Sequence, residues 1–335
     1  MKRMLTMIAA AALLAAPAAA RAKSLVGAGS TFGYPIYSKW FAEYHKVKPG
    51  LQINYQSIGS GGGILQFTNK TVDFGATDGP MNDAQIEKAG GKVLHIPTVL
   101  GGVVPIFNVA GVKELRLDGP ALAGIYLGKI TMWNDPALVK LNPRAKLPAE
   151  PIVVIHRADG SGTTYCFVDY LSKVSPEWKA KVGLGTSVDW PVGLGGKGSE
   201  GVTGLVKQNP GAIGYVELIY ALQNKLGYAS VRNRAGVFVK GTLAGVTAAA
   251  AGAARTMPKD FRVSITNAPG RTAYPISTFT WLLVYPKNPA GKGVEIRDFL
   301  RWELKSGQKM AAGLGYAPLP LAVKAKVARV VETIE

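Results

Sequence analysis

Residues 151–171 read PIVVIHRADGSGTTYCFVDYL, and three local patterns follow one another there. Pro151 to His156 is a short apolar, β-branched run that predicts a strand, and Tyr165 to Leu171 carries helical spacing. Between them, Arg157 to Thr164 is a turn made of Gly, Ser, Thr and Asp. Working outward, similar runs recur at Ser24 to Val26, Gln52 to Tyr55, Val72 to Ala76, Gly102 to Asn108, Ile213 to Val216 and Thr280 to Tyr285. Ile36, Trp40, Phe41 and Tyr44, and Ile296, Phe299, Leu300 and Leu304, recur at helical spacing between strands and predict core stripes. Strands alternating with helices predict an α/β architecture with layered helices. No long Pro or Ser linker marks a boundary, so two lobes joined by paired crossovers are expected. Thr242 to Arg255, rich in Ala and Gly, predicts a surface helix.

The strand–turn–helix device occurs three times. Besides Arg157 to Thr164, it appears at Val26-Gly-Ala-Gly-Ser-Thr-Phe32, with Pro35 in a helix's first turn, and at Ile58-Gly-Ser-Gly-Gly-Gly63. Each such turn offers unpaired backbone N–H groups at a helix N-terminus, adds hydroxyl donors and turns the positive end of the helix dipole toward an anion. Ordinary capping accounts for any one of them. Three together, one with an arginine able to grip an oxyanion bidentately, point to an anion site. Asp159 stands two residues from Arg157, placed to pair with the guanidinium and hold its fork, if the pair is buried.

Val72-Asp-Phe-Gly-Ala-Thr-Asp78 then brings a carboxylate to the end of an apolar run. A carboxylate suits an anion site only if the anion still carries a proton, because it accepts a hydrogen bond from P–OH but repels fully ionised sulfate. Leaving a buried acceptor unpaired costs on the order of 1–3 kcal/mol, enough to discriminate.

Thirty-nine Lys and Arg stand against 21 Asp and Glu among 335 residues, a formal charge of +18. Residues 1–22 have a basic start, an apolar stretch and an Ala-rich end, which predicts a cleaved secretory signal peptide with cleavage after Ala22 or Ala20. Its apolar span is too short for a membrane anchor. Removing Lys2, Arg3 and Arg21 leaves 36 basic residues against 21 acidic, or +15. Cys166 is the sole cysteine and is expected to be a buried structural thiol; no cysteine follows the leader, so no lipid anchor is expected.

Competing classes find little support. Gly193-Leu-Gly-Gly-Lys-Gly198 spells G-x-G-x-x-G, but Trp190-Pro-Val192 before it is a poor strand and no ribose-reading acid follows. A hydrolase lacks a G-x-S-x-G elbow and has only His45, His95 and His156 as imidazole bases; His156 is expected to be structural. Metal-ligand spacing is missing, and lysines and arginines are scattered without a nucleic-acid-binding block.

These motifs, together with Ile125-Tyr-Leu-Gly-Lys-Ile-Thr-Met-Trp133 and Gly211-Ala-Ile-Gly-Tyr-Val-Glu217, resemble the phosphate-binding periplasmic proteins of high-affinity phosphate ABC transporters, which have the type 2 periplasmic-binding-protein fold. The resemblance runs through nearly the whole chain after residue 22. It implies an α/β protein of two lobes, residues 23–106 with 276–335, and residues 107–275, joined by two crossover strands with the ligand cleft between them. It also implies a non-enzymatic, monomeric binding component in the periplasm that captures inorganic phosphate without cofactor or metal. Such a component delivers phosphate to the permease and ATPase subunits of an importer. Carried over by residue, the phosphate ligands fall on Thr31, Phe32, Ser60, Asp78, Arg157, Ser161, Gly162 and Thr163, with Asp159 orienting Arg157. Gly61 and Thr77 stand where the family often has serine. Within this class the other candidate ligand is sulfate or molybdate, which Asp78 disfavours.

Overall fold

A computed structural model describes residues 23–289 and 291–335; the expected signal peptide lies outside the described residues. The expected strands all form, and they join into one continuous curled sheet. Its order is Leu51–Ser57, Lys23–Gly29, Phe74–Thr77, Ser277–Val284, Leu94–Asn108, Ala212–Glu217, Val153–Arg157, Leu194–Gly196. The first three run parallel to one another, as do the last three.

The sheet serves two lobes because of one element. The strand Leu94–Asn108 is 15 residues long and changes partner midway. Leu94 to Gly102 pairs antiparallel with Ser277–Val284, and Val103 to Asn108 pairs antiparallel with Ala212–Glu217. Sequence reading finds only its second half, Gly102 to Asn108. The first half carries Pro97, which cannot donate to a ladder and is tolerated at a bulge. The register indeed shifts there: Thr280 pairs with Val99 and Trp281 with Pro97, leaving Thr98 unpaired opposite them.

Helices cover both faces. On Tyr34–Val47, Ile36, Trp40, Phe41 and Tyr44 are buried, and on Lys292–Lys305, Ile296, Phe299, Leu300 and Leu304 are buried, as their spacing predicts. The two stripes meet where Phe299 packs at 5.4 Å between ring centroids from both Phe41 and Tyr44. The Ala-rich helix is Leu243–Thr256, capped by Thr242, with Val246, Ala249, Ala250 and Ala253 turned to the core. Cys166 is buried in the helix Gly162–Val174, and burial pushes its thiol well above the ordinary range, which makes it a structural thiol. Among the described residues no helix is long and apolar enough to cross a membrane.

Two helices begin earlier than the sequence suggests. The second device is already helical from Ser60 rather than Ile64, although glycines inside a helix cost about 1 kcal/mol each against alanine. Close approach explains them: a Cβ on Gly63 would lie 2.5 Å from the Cα of Gly29, and one on Gly61 would lie 2.9 Å from the Cα of Gly160. The third device is helical from Gly162 rather than Tyr165, because Ser161 caps it by accepting from the Thr164 N–H at 3.0 Å.

Candidate functional site

The parallel strands of each half end facing the other half, where open α/β sheets hold ligands. Lys23–Gly29 leads into Ser30, Thr31 and Phe32; Leu51–Ser57 leads into Ser60; Phe74–Thr77 leads into Asp78. From the opposite side, Val153–Arg157 ends on Arg157 and leads into Ser161, Gly162 and Thr163. Thr31, Phe32, Ser60, Asp78, Arg157, Ser161 and Thr163 are all buried, and Gly162 is buried with them. The eight expected residues are thus brought together.

Asp78 is the electrostatic centre. Its Oδ1 accepts from Ser30 Oγ at 2.5 Å and from Thr280 Oγ1 at 2.7 Å, while its Oδ2 has only Ser60 Oγ, at 3.3 Å. Burial pushes the carboxyl up to about 6, against the pull of those hydroxyls and of the Arg157 charge. One carboxylate oxygen is therefore saturated, and the other keeps capacity to accept a proton from a ligand.

Arg157 is held from behind. Its Nε donates to Asp159 Oδ1 at 2.7 Å and its Nη2 to Asp159 Oδ2 at 2.5 Å. This uses two of five guanidinium donors and leaves the Nη1 side, which reaches Thr163 Oγ1 at 3.5 Å, for the cleft. Asp159 also accepts from the Gly198 N–H at 2.9 Å. Burial alone would raise its carboxyl, but Arg157 and Gly198 outweigh that and hold it below the ordinary range. With the guanidinium side chain at 1% exposure, this is the buried pair that the sequence reading requires.

The donors are not all alike. Gly162 and Thr163 open their helix, so their N–H groups have no intrahelical partner. The Ser161 N–H, in contrast, is spent on the Thr186 carbonyl at 2.7 Å, so Ser161 offers the cleft its hydroxyl. Phe32 gives its carbonyl to Tyr316 Oη at 2.5 Å, which pins the first turn against the C-terminal segment.

The two halves are closed upon each other. Gly61 N–H donates to the Gly160 carbonyl at 2.8 Å, Thr31 Oγ1 lies 3.0 Å from Ser199 Oγ, and Tyr220 Oη donates to the Thr31 carbonyl at 2.6 Å. Arg262 Nη1 reaches Asp83 Oδ1 at 2.7 Å and the Met81 carbonyl at 3.1 Å. A Cβ at Gly162 would lie 2.5 Å from Ser60 Oγ, so only glycine permits this approach.

Sequence reasoning passes over several contributors. Ser30 lies inside a turn it singles out, yet its role needs Asp78, 48 residues away. Ser199 follows the G-x-G-x-x-G stretch, which proves to be a genuine strand-to-helix turn: Leu194–Gly196 precedes the helix Gly198–Gln208. Its first N–H holds Asp159, and that is how the turn serves the site. Glu217 is fully buried at a strand end, and burial raises its carboxyl well above the ordinary range. His156 is structural: its ring stacks on Trp190 at 4.9 Å and its Nδ1 lies 3.0 Å from the Arg157 carbonyl. Among the described residues no group of three or more His, Cys, Asp or Glu is placed to hold a metal ion.

Two α/β lobes bridged by an extended strand, with Gly/Ser/Thr turns facing each other across the seam, define the class of binding proteins that close over a small ligand. The model of the PBP superfamily domain matches residues 14–305. The phosphate-binding protein PstS of Xylella fastidiosa is 48% identical over 309 residues, covering 91% of this chain and 84% of that relative. PstS of Haemophilus influenzae is 46% identical over 308 residues, covering 91% of each. The chain belongs to the PBP superfamily and, within it, to the PstS family. Solved structures share the fold. A phosphate binding protein from Stenotrophomonas maltophilia superposes with a TM-score of 0.70 at 19% identity, over 92% of this chain and 94% of that one. A putative phosphate ABC transporter substrate-binding protein from Clostridium perfringens, solved with bound phosphate, gives 0.66 at 20% identity, over 89% and 100%.

Proposed function

We propose that this protein captures inorganic phosphate between its lobes and delivers it to an ABC-type phosphate importer. The observation that carries the reading is Asp78, a buried carboxylate with one unsaturated oxygen set among anion-binding donors. Such a set suits an oxyanion that accepts many hydrogen bonds and donates one, as HPO4²⁻ does and sulfate cannot.

In this reading Arg157 supplies the formal positive charge and a directed fork, with Asp159 holding its orientation. Thr31, Phe32 and Ser60 donate from the lobe of residues 23–106 and 276–335. Ser161, Gly162 and Thr163 donate from the lobe of residues 107–275, at a helix N-terminus. Asp78 accepts the remaining phosphate proton. Closure brings both donor sets onto one ligand and removes water, which strengthens each polar contact. Opening turns about the two crossovers, the strand Leu94–Asn108 and the return into Ser277–Val284. The protein acts as a binding component rather than an enzyme. It works as a monomer in the periplasm, where the permease and its ATPase subunits receive the ligand.

Titration calorimetry on purified protein tests this. One phosphate per chain, with sulfate and molybdate failing to compete, is the expected result; strong sulfate binding, or none to phosphate, overturns it.

A further inference from the structure

The basic excess is not spread evenly over the described residues. Residues 111–118, 135–146 and 225–240 hold nine basic and three acidic side chains, a net +6 out of the +15 carried beyond residue 22. These segments are brought together by a small sheet in the lobe of residues 107–275. Arg116–Leu117 pairs with Ser230–Arg232, which pairs with Phe238–Lys240. The buried Asn142 ties the adjoining helix end to the same strand, accepting from the Arg116 N–H at 2.7 Å and donating to the Arg116 carbonyl at 2.9 Å.

Beside this sheet lies a concavity of about 460 Å³, lined by Lys113, Arg116, Arg144 and Lys146 against the one carboxylate of Glu114. All four cations are exposed, and among the described residues none of them forms an ion pair. The lysines and arginines elsewhere that face carboxylates are the contrast: Lys23, Lys48, Lys129 and Lys292 each find one within 3 Å. Arg116 is also pre-set, its guanidinium lying over the Phe238 ring at 5.5 Å, with Arg232 over the same ring at 4.7 Å. Four like charges held close together repel one another, and a multivalent anion relieves that repulsion. The volume falls in the range of a small-molecule site, roughly 300–1,000 Å³, larger than one orthophosphate needs.

We propose that this concavity is a second anion site, separate from the cleft, that takes a group bearing several linked or neighbouring phosphates. Inorganic polyphosphate and the headgroups of an anionic lipid surface both present that chemistry. Because the cations are exposed, binding is screened by salt over a Debye length of about 8 Å at physiological ionic strength. The lining includes neither Arg157 nor Asp78, so a polyanion bound there leaves the cleft free for its own ligand.

The test uses protein saturated with orthophosphate, so the cleft is filled. Inorganic tripolyphosphate is titrated by calorimetry, and sedimentation with phosphatidylglycerol-containing vesicles is run in parallel. The triple variant Lys113→Gln, Arg144→Gln, Lys146→Gln is compared with the parent, its fold checked by unchanged orthophosphate binding in the cleft. Binding of either probe that weakens about 10-fold or more in the variant and falls with added salt supports the site, since each exposed pair lost removes a factor of a few. Loss confined to tripolyphosphate assigns a soluble polyphosphate, and loss in the vesicle arm assigns the lipid surface. Absence of binding to both probes, equal binding by parent and variant, or tripolyphosphate binding that vanishes when orthophosphate fills the cleft overturns it.

Discussion

Replacing Asp78 by Asn probes the buried carboxylate without changing its shape. Burial raises the folded-state carboxyl from 3.8 to about 6. The sign follows from linkage: as pH rises through the ordinary carboxylate range, the unfolded chain releases its proton while the folded chain still retains it, so folding loses stability until pH passes 6. The full cost of holding the charge above that pH is about 3 kcal/mol, at 1.36 kcal/mol per pH unit. Between pH 4.5 and 7.5 the ligand-free wild type loses about 2 kcal/mol relative to Asp78→Asn. The assay is urea unfolding of both proteins in phosphate-free buffer at the two pH values, compared as a difference so that other titrating groups cancel. His95, held down to about 4 by burial and by the Arg262 charge, is one such group. A stability difference that stays flat across this range refutes the reasoning.

Three further outcomes follow from the same geometry. Ser30→Ala removes a hydroxyl that holds Asp78 ionised, so the acid-side loss of phosphate affinity should begin at higher pH; an unshifted profile counts against that role. Gly61→Ala puts a Cβ 2.9 Å from the Gly160 backbone across the seam, and calorimetry should find phosphate binding weakened about 10-fold or more, a penalty of about 1.4 kcal/mol; unchanged affinity counts against that contact. Arg262→Ala releases a contact between the lobes at Asp83 and Met81 far from the ligand. Asp83 is largely exposed, so the pair is weak, and phosphate affinity should fall only about 3- to 10-fold, with the effect shrinking in high salt.

Much of this was legible in the chain because its signals are local. A strand, a Gly/Ser/Thr turn and a helix fit within 21 residues at 151–171, and Arg157 and Asp159 are near enough in sequence to be read as a pair. What escaped is non-local. Thr280 reaches Asp78 across 202 residues, through the sheet neighbours Ser277–Val284 and Phe74–Thr77. The first half of the long strand carries Pro97, a residue that argues against a strand until the bulge at the adjacent Thr98 is seen. The Gly198 turn looks like a failed nucleotide motif because its partner is the carboxylate of Asp159, 39 residues upstream. The glycines of Ser60–Thr68 read as a loop because the close approaches that require them, Gly63 to Gly29 and Gly61 to Gly160, lie 34 and 99 residues away in sequence. The charge excess points to no ligand by itself, because the cleft contains one arginine facing two carboxylates.

If one carboxylate reads the proton on the ligand, the ratio of phosphate to sulfate affinity must differ between wild type and Asp78→Asn. With the acceptor neutral, phosphate should weaken and sulfate should become a competitor, closing the ratio by about 10- to 100-fold, the cost of a buried acceptor left unpaired. A variant that keeps the wild-type ratio contradicts the account.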